Sequence, residues 1–233
     1  MSRDAERFWD ERAREQALYF VDNTIDYQDP DVERFWTGGE QTVRGILDQL
    51  GVEVRAADAL VEIGCGVGRL TRPLAERAAH VTAIDVSGEM LARARELNPQ
   101  LDNVRWLHGD GRSLDGVADA SADGCFSHVV FQHLPDPELT LGYVREMGRV
   151  LRPGGWAAFV VSTDEAVHRP RRRASWRVAA LLRRGPRGQE HPAWLGSAVP
   201  LDRLKNAATE AGLELEKVLQ PGTQFTLVLA RRA

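Results

Sequence analysis

The run Val61-Glu62-Ile63-Gly64-Cys65-Gly66-Val67-Gly68-Arg69-Leu70 carries an apolar stretch into three alternating glycines. Glycines at that spacing allow positive φ and close approach of the backbone to a ligand. The pattern departs from G-x-G-x-x-G: position 69 is arginine and the third glycine comes one residue early, which counts against a dinucleotide pyrophosphate. The next apolar run ends in Asp85, where a carboxylate can accept from both hydroxyls of a ribose; the competing reading is an acid at a helix N-terminus. Gly109-Asp110-Gly111 follows a third run, and its acid could accept from an adenine amino group or merely close a turn. His133 brings a side chain whose ordinary pKa suits proton transfer near neutrality.

These residues need a frame, and the apolar patterning supplies one. Ala59–Ile63, Val81–Val86, Val104–Leu107, Phe126–Phe131 and Trp156–Val161 read as strands separated by helical stretches, one opened by Ser87 and one by Asp136-Pro137. Alternation of this length implies a parallel sheet with right-handed crossovers, and ligands then bind above the carboxyl ends of the strands. Residues 1–57 read as a helical cap, 58–161 as the ligand-binding core, 162–199 as a basic insert and 200–233 as a last helix and hairpin, all within one domain. The hairpin reading rests on Gln220-Pro221-Gly222-Thr223, a connection short enough to join Leu213–Leu219 to Phe225–Leu229 antiparallel.

Taken together the glycine turn, Asp85, Gly109-Asp110, Val129-Val130-Phe131-Gln132-His133-Leu134-Pro135 and Leu151-Arg152-Pro153-Gly154-Gly155 resemble the class I S-adenosylmethionine-dependent methyltransferases, particularly the small-molecule group with ubiquinone-biosynthesis-like enzymes. The resemblance covers roughly residues 40–161. It implies an α/β, Rossmann-like, seven-stranded sheet of order 3-2-1-4-5-7-6 with strand 7 antiparallel, and S-adenosyl-L-methionine as cofactor with S-adenosyl-L-homocysteine as product. It also implies that Glu62, Gly64, Cys65, Gly66, Gly68 and Arg69 surround the methionine part and Asp85 the ribose. Val86 and Met90 would meet the adenine edge, Gly109, Asp110 and Gly111 the adenine ring, and Phe131, Gln132 and His133 the reacting methyl.

Methyl transfer is an in-line displacement, so the protein must align the groups, exclude water and receive a proton where the acceptor carries one. His133 is the candidate base, with packing or turn capping as its other reading, whereas His108 and His128, the latter inside a strand, read as structural. Tyr19, Phe20, Phe35 and Trp36 are candidates for an aromatic lid over the acceptor, and Trp194 for its pocket wall; Arg12, Arg14 or Arg69 is the expected cation for the methionine carboxylate. The segment after the fourth strand lacks [Asn/Asp]-Pro-Pro-[Tyr/Phe], which lowers nucleobase methylation, and no His/Asp/Glu grouping has metal-ligand spacing.

Composition narrows the partners. The chain has 233 residues and a net charge of −4, but residues 169–187 hold eight arginines and no acid, leaving −12 on the rest. A global nucleic-acid footprint does not fit that balance. Ala174, Val178, Leu181 and Leu182 sit at helical spacing within the basic stretch, which reads either as a short amphipathic helix or as a solvated loop. Cys65 and Cys125 form no C-x-x-C pair, no run has the length of a membrane span, and the expected setting is cytoplasmic. The expected reaction is methylation of an oxygen or nitrogen on a small metabolite. Its rivals are an RNA methyltransferase using the arginines and a cofactor-binding partner protein without turnover.

Overall fold

The computed structural model describes residues 2–168, 188 and 190–233. The arginine-rich stretch 169–187, including its proposed amphipathic helix, lies outside the described residues. Seven strands, β1 (Ala59–Ile63), β2 (His80–Asp85), β3 (Val104–His108), β4 (Ala122–Ser127), β5 (Leu151–Val161), β6 (Leu213–Leu219) and β7 (Thr226–Arg232), form one sheet of order β3-β2-β1-β4-β5-β7-β6. β1 to β5 run parallel, while β7 is antiparallel to both β5 and β6.

Side chains on β1 show how the layers arise. Val61 and Ile63 point to one face, where they pack with α5 (Pro137–Val150) and α7 (Leu201–Glu210) through Val144, Met147 and Leu204. Leu60 points to the other, among Leu47 of α2 (Val32–Leu50), Leu74 of α3 (Thr71–Ala75) and Leu91 of α4 (Gly88–Leu97). The strand period of two thus builds both cores from consecutive residues. A third apolar cluster, with Ala13, Ala17, Phe20, Phe35, Val67 and Met90, seats α1 (Ser2–Val21) over the glycine turn.

Helix ends follow their sequence signals. The side chain of Asp31 accepts from Arg34 N, Ser87 from Met90 N and Asp136 from Glu138 N, satisfying N–H groups that have no partner within the helix. Helix α1 breaks at Gln16 (φ −164°, ψ 81°). Its Asp10 Oδ1 accepts from Ser87 Oγ at 2.6 Å and Glu89 N at 3.1 Å, and Arg14 pairs with Glu89 at 2.7 Å, so α1 is clasped to the start of α4.

The fourth strand corrects the sequence expectation of 126–131. It spans Ala122–Ser127 and stops because Val129 takes a left-handed φ of 57°, after which Phe131–His133 coil into a 3₁₀ turn. His128 therefore lies beyond the strand rather than inside it.

Packing between α5 and α7 leaves no room at Gly148, where a Cβ would stand 2.4 Å from the Ala211 carbonyl oxygen. Gly148→Val should lower stability by about 1–3 kcal/mol through overpacking against backbone, measured as a lower urea midpoint; an unchanged midpoint would show that the two helices can separate freely.

Candidate active-site cleft

The glycine turn after β1 is built from residues that must be glycine. Gly64, Gly66 and Gly68 have φ of 76°, 53° and 88°. A Cβ on Gly64 would meet Val130 at 2.3 Å, and one on Gly66 would meet Val21 at 2.7 Å. Gly64 N and Cys65 N both donate to the Ile84 carbonyl of β2, at 2.7 and 3.0 Å. The Asp85 carboxylate then receives Gly66 N on one oxygen and Ser87 N on the other, each at 2.8 Å. Burial raises the Asp85 pKa, opposed by these two N–H donors. Below the turn, Glu62 is 2% exposed, accepts from Thr71 Oγ1 at 2.5 Å and is pushed up to about 7 by burial. Burial with Asp85 and Glu62 nearby also drives the Cys65 thiol upward, so it stays protonated at neutral pH.

These groups open onto a cleft of about 1470 Å³ at the carboxyl ends of the parallel strands. That exceeds the roughly 300–1,000 Å³ of a single-ligand pocket and gives room for two molecules side by side. Of the expected ligand contacts, Glu62, Gly64, Cys65, Gly66, Arg69, Asp85, Val86, Met90, Gly109, Gly111, Gln132 and His133 all line it.

Three others do not. Gly68 faces away, toward Asn98 and Trp106. Phe131 is 1% exposed and packed between Tyr143 and Phe159 in the core. Asp110 spends its carboxylate on its own turn, accepting from Arg112 N and Ser113 N at 2.8 Å each.

Nor do Tyr19 and Trp36 form a lid. Tyr19 packs edge-on against Phe20 and Tyr27, while Trp36 lies beneath the Arg72 guanidinium, 3.3 Å from its ring centre. The aromatic residues that do line the cleft are Trp9, Phe20, Tyr143, Trp194 and Phe225. Trp9 has no role in the sequence expectations, although its spacing to Ala13, Ala17 and Phe20 is that of one helix face. The three candidate cations each meet a carboxylate: Arg12 meets Glu15 at 2.9 Å, Arg14 meets Glu89 and Arg69 meets Asp22 at 2.8 Å. Only Arg69 of the three lines the cleft, with Asp22 beside it.

His133 sits between Trp9 and Trp194, with ring centres 5.6 and 5.4 Å away. Its Nδ1 lies 2.9 Å from the Trp194 carbonyl. A carbonyl only accepts, so Nδ1 carries the proton and Nε2 the lone pair. Burial lowers its pKa to about 4, correcting the expectation of a group titrating near neutrality. The segment that makes this bond is pressed against the same wall: Gly196, after α6 (Pro192–Leu195), would place a Cβ 1.7 Å from the Gln132 carbonyl oxygen. Among the described residues no group of three or more His, Cys, Asp or Glu could hold a metal ion, and no helix is long and apolar enough to cross a membrane.

Comparison with known proteins meets this geometry. A family profile described as a methyltransferase domain matches residues 61–159. The malonyl-[acyl-carrier protein] O-methyltransferase of Pectobacterium atrosepticum is 35% identical over 128 residues, 55% of this chain and 46% of that protein. The trans-aconitate 2-methyltransferase of an Azoarcus species is 35% identical over 157 residues, 65% of this chain and 59% of that protein. The chain thus spans less than two thirds of the length of these curated relatives. The structure of magnesium protoporphyrin IX methyltransferase from Synechocystis shares the fold, with a TM-score of 0.65 at 17% identity, over 100% of this chain and 99% of that one. Phosphoethanolamine N-methyltransferase 1 of Haemonchus contortus gives a TM-score of 0.68 at 15% identity, covering 99% and 48%.

Glu62 offers a direct check on the cleft's electrostatics. Its folded pKa of about 7 lies above the ordinary 4.5, so the native state holds the extra proton between those values and stability falls as pH rises through that window. Glu62→Gln removes the titration; relative to the parent chain its stability should rise by up to about 3 kcal/mol from acid to mildly alkaline pH, read from urea denaturation at both ends. A difference that stays constant with pH would mean that Glu62 does not ionise from a buried site.

Proposed function

We propose, from a chain that belongs to the class I S-adenosylmethionine-dependent methyltransferases, that it methylates an oxygen or nitrogen of a small-molecule acceptor. The observation that carries this reading is a single cleft with a glycine cradle and Asp85 at one end and His133 between two tryptophans at the other.

The residues present fit the cofactor. Gly64 and Gly66 leave the backbone bare beside the methionine part, with Glu62, Cys65 and Arg69 around it. Each Asp85 oxygen accepts one backbone N–H and keeps a second lone pair for a ribose hydroxyl. Val86 and Met90 offer apolar surface, and Gly109 and Gly111 bare backbone, to the adenine. Arg69, held by Asp22, is the cation on the cleft wall that would meet the methionine carboxylate, and Asp22 the acid that would meet the adjoining ammonium. When bound, the cofactor supplies an electrophilic methyl on a sulfonium sulfur.

The chain's own work is positional. Trp9, Phe20 and Trp194 line the acceptor end with apolar ring surface, which favours an ordered acceptor over water, and an ordered site is where alignment counts most. The imidazole of His133, fixed by the Trp194 carbonyl, holds its Nε2 lone pair ready to receive a hydrogen bond from the acceptor.

The test is to incubate the purified protein with methyl-labelled S-adenosylmethionine and fractionated cell extract. Label is expected in a low-molecular-weight species one methylene heavier than its precursor; label in RNA, or in nothing, would overturn the reading. Asp85→Ala should weaken S-adenosylhomocysteine binding by about 1–3 kcal/mol in calorimetric titration, through loss of a charged acceptor. Equal affinity in the two proteins would remove Asp85 from the ribose site.

A further inference from the structure

We propose that the acceptor enters as a hydrogen-bond donor, a hydroxyl or N–H on a flat apolar frame, and that His128 together with Gln132 receives it. This rests on the methyltransferase reading above and names the substrate class of the same cleft.

Three observations converge on the wall just past β4. Ser127 Oγ donates to the Ile63 carbonyl at 3.1 Å, tying the end of β4 to the strand that feeds the glycine turn. His128, Val129 and Val130 then line the cleft directly, Val130 covering Gly64. Val129, a β-branched residue, is held there at a φ of 57°, a conformation that such residues avoid and that concentrates at functional sites.

His128 makes no hydrogen bond through either ring nitrogen among the described residues, and its Nδ1 is buried. Each of the other half-buried histidines has one ring nitrogen tied to backbone, His133 to Trp194, His168 to Leu195 and His191 to Ala193 N, although His168 Nε2 is also buried without a partner among the described residues. Burial and the charge of Arg69 lower the His128 pKa to about 4, so at neutral pH the ring is uncharged and keeps a lone pair. Gln132 repeats the pattern: it is 4% exposed, lines the cleft, and its side-chain oxygen has no donor. Gln132 Oε1, His133 Nε2 and the one lone pair of the neutral His128 ring are thus three acceptors on the inner wall that receive no donor from the chain among the described residues, beside the N–H that His128 keeps and the NH₂ of Gln132.

The charges around this wall do not alter that balance. Arg69 is engaged by Asp22 and by the Phe35 carbonyl, and Asp22 is an acid. Arg34 and Arg112 also line the cleft but are exposed, with Asp31 and Glu33 beside Arg34. A carboxylate acceptor could take an N–H from Gln132 or His128 but brings no donor of its own, so it would leave the Gln132 oxygen and the His133 Nε2 lone pair unpaired, which is costly in a buried site. A hydroxyl or amine supplies the missing proton donor, and Trp9, Trp194 and Phe20 match a flat frame.

Calorimetric titration of the protein saturated with S-adenosylhomocysteine can separate these cases with ring-matched probes: 1-naphthol, 1-naphthylamine and 1-naphthoate. Naphthol and naphthylamine are expected to bind about tenfold more tightly than naphthoate, the effect of one buried hydrogen bond. His128→Leu should remove that preference by weakening naphthol, while S-adenosylhomocysteine binding shows that the cleft is intact. His128→Gln keeps an acceptor and should retain part of the preference. Naphthoate binding as tightly as naphthol, no binding of naphthol, or a preference that survives His128→Leu would each overturn the inference while leaving the cofactor reading in place. Failure of the unaltered protein to bind S-adenosylhomocysteine would overturn that reading, and this inference with it.

Discussion

The Asp85 carboxylate receives one N–H from the turn after β1 and one from the residue that caps α4. Two elements distant in sequence are thereby held at a fixed angle over the carboxyl ends of β1 and β2. The clasp of α1 extends the same construction, since Asp10 grips Ser87, the residue whose N–H Asp85 holds. Removing that carboxylate would leave two buried N–H groups without acceptors as well as a gap in the ligand wall. Position 85 therefore joins folding to recognition.

That arrangement concentrates negative charge in a dry place. Burial displaces both Asp85 and Glu62 upward, and the charge of Asp85 raises the ionisation cost of Glu62 further. The fold offsets this for Asp85 with backbone dipoles and for Glu62 with the Thr71 hydroxyl. A bound sulfonium cation would find a negative field already in place, oriented before it arrives. Preorganised charge of this kind needs no rearrangement at the moment of reaction.

Much of the fold was legible in the sequence because its signals are local. Three alternating glycines, side-chain caps at Ser87 and Asp136, and apolar runs of strand length each act within a few residues. The end of β4 was not legible: Phe126 to Phe131 is apolar enough to read as one strand, and nothing in the pattern marks the left-handed turn at Val129. His128 was consequently read as part of a strand. The aromatic lid failed for a related reason. Periodicity shows which residues share a helix face but not what that face meets, so Tyr19 and Trp36 could not be told apart from Trp9 and Phe20. Ion pairs such as Arg69 with Asp22 join residues far apart in the chain, and spacing carries no trace of them.

The contact at Gly196 has a mechanical meaning. Even one methyl there would collide with the Gln132 peptide, so the chain returning from the arginine-rich stretch is seated on the cleft wall like a wedge in a joint. Displacement of that returning segment is transmitted to the neighbouring amide and imidazole instead of being absorbed by solvent. Selectivity for what enters the cleft can therefore drift through changes outside it, with the strands and the glycine turn untouched.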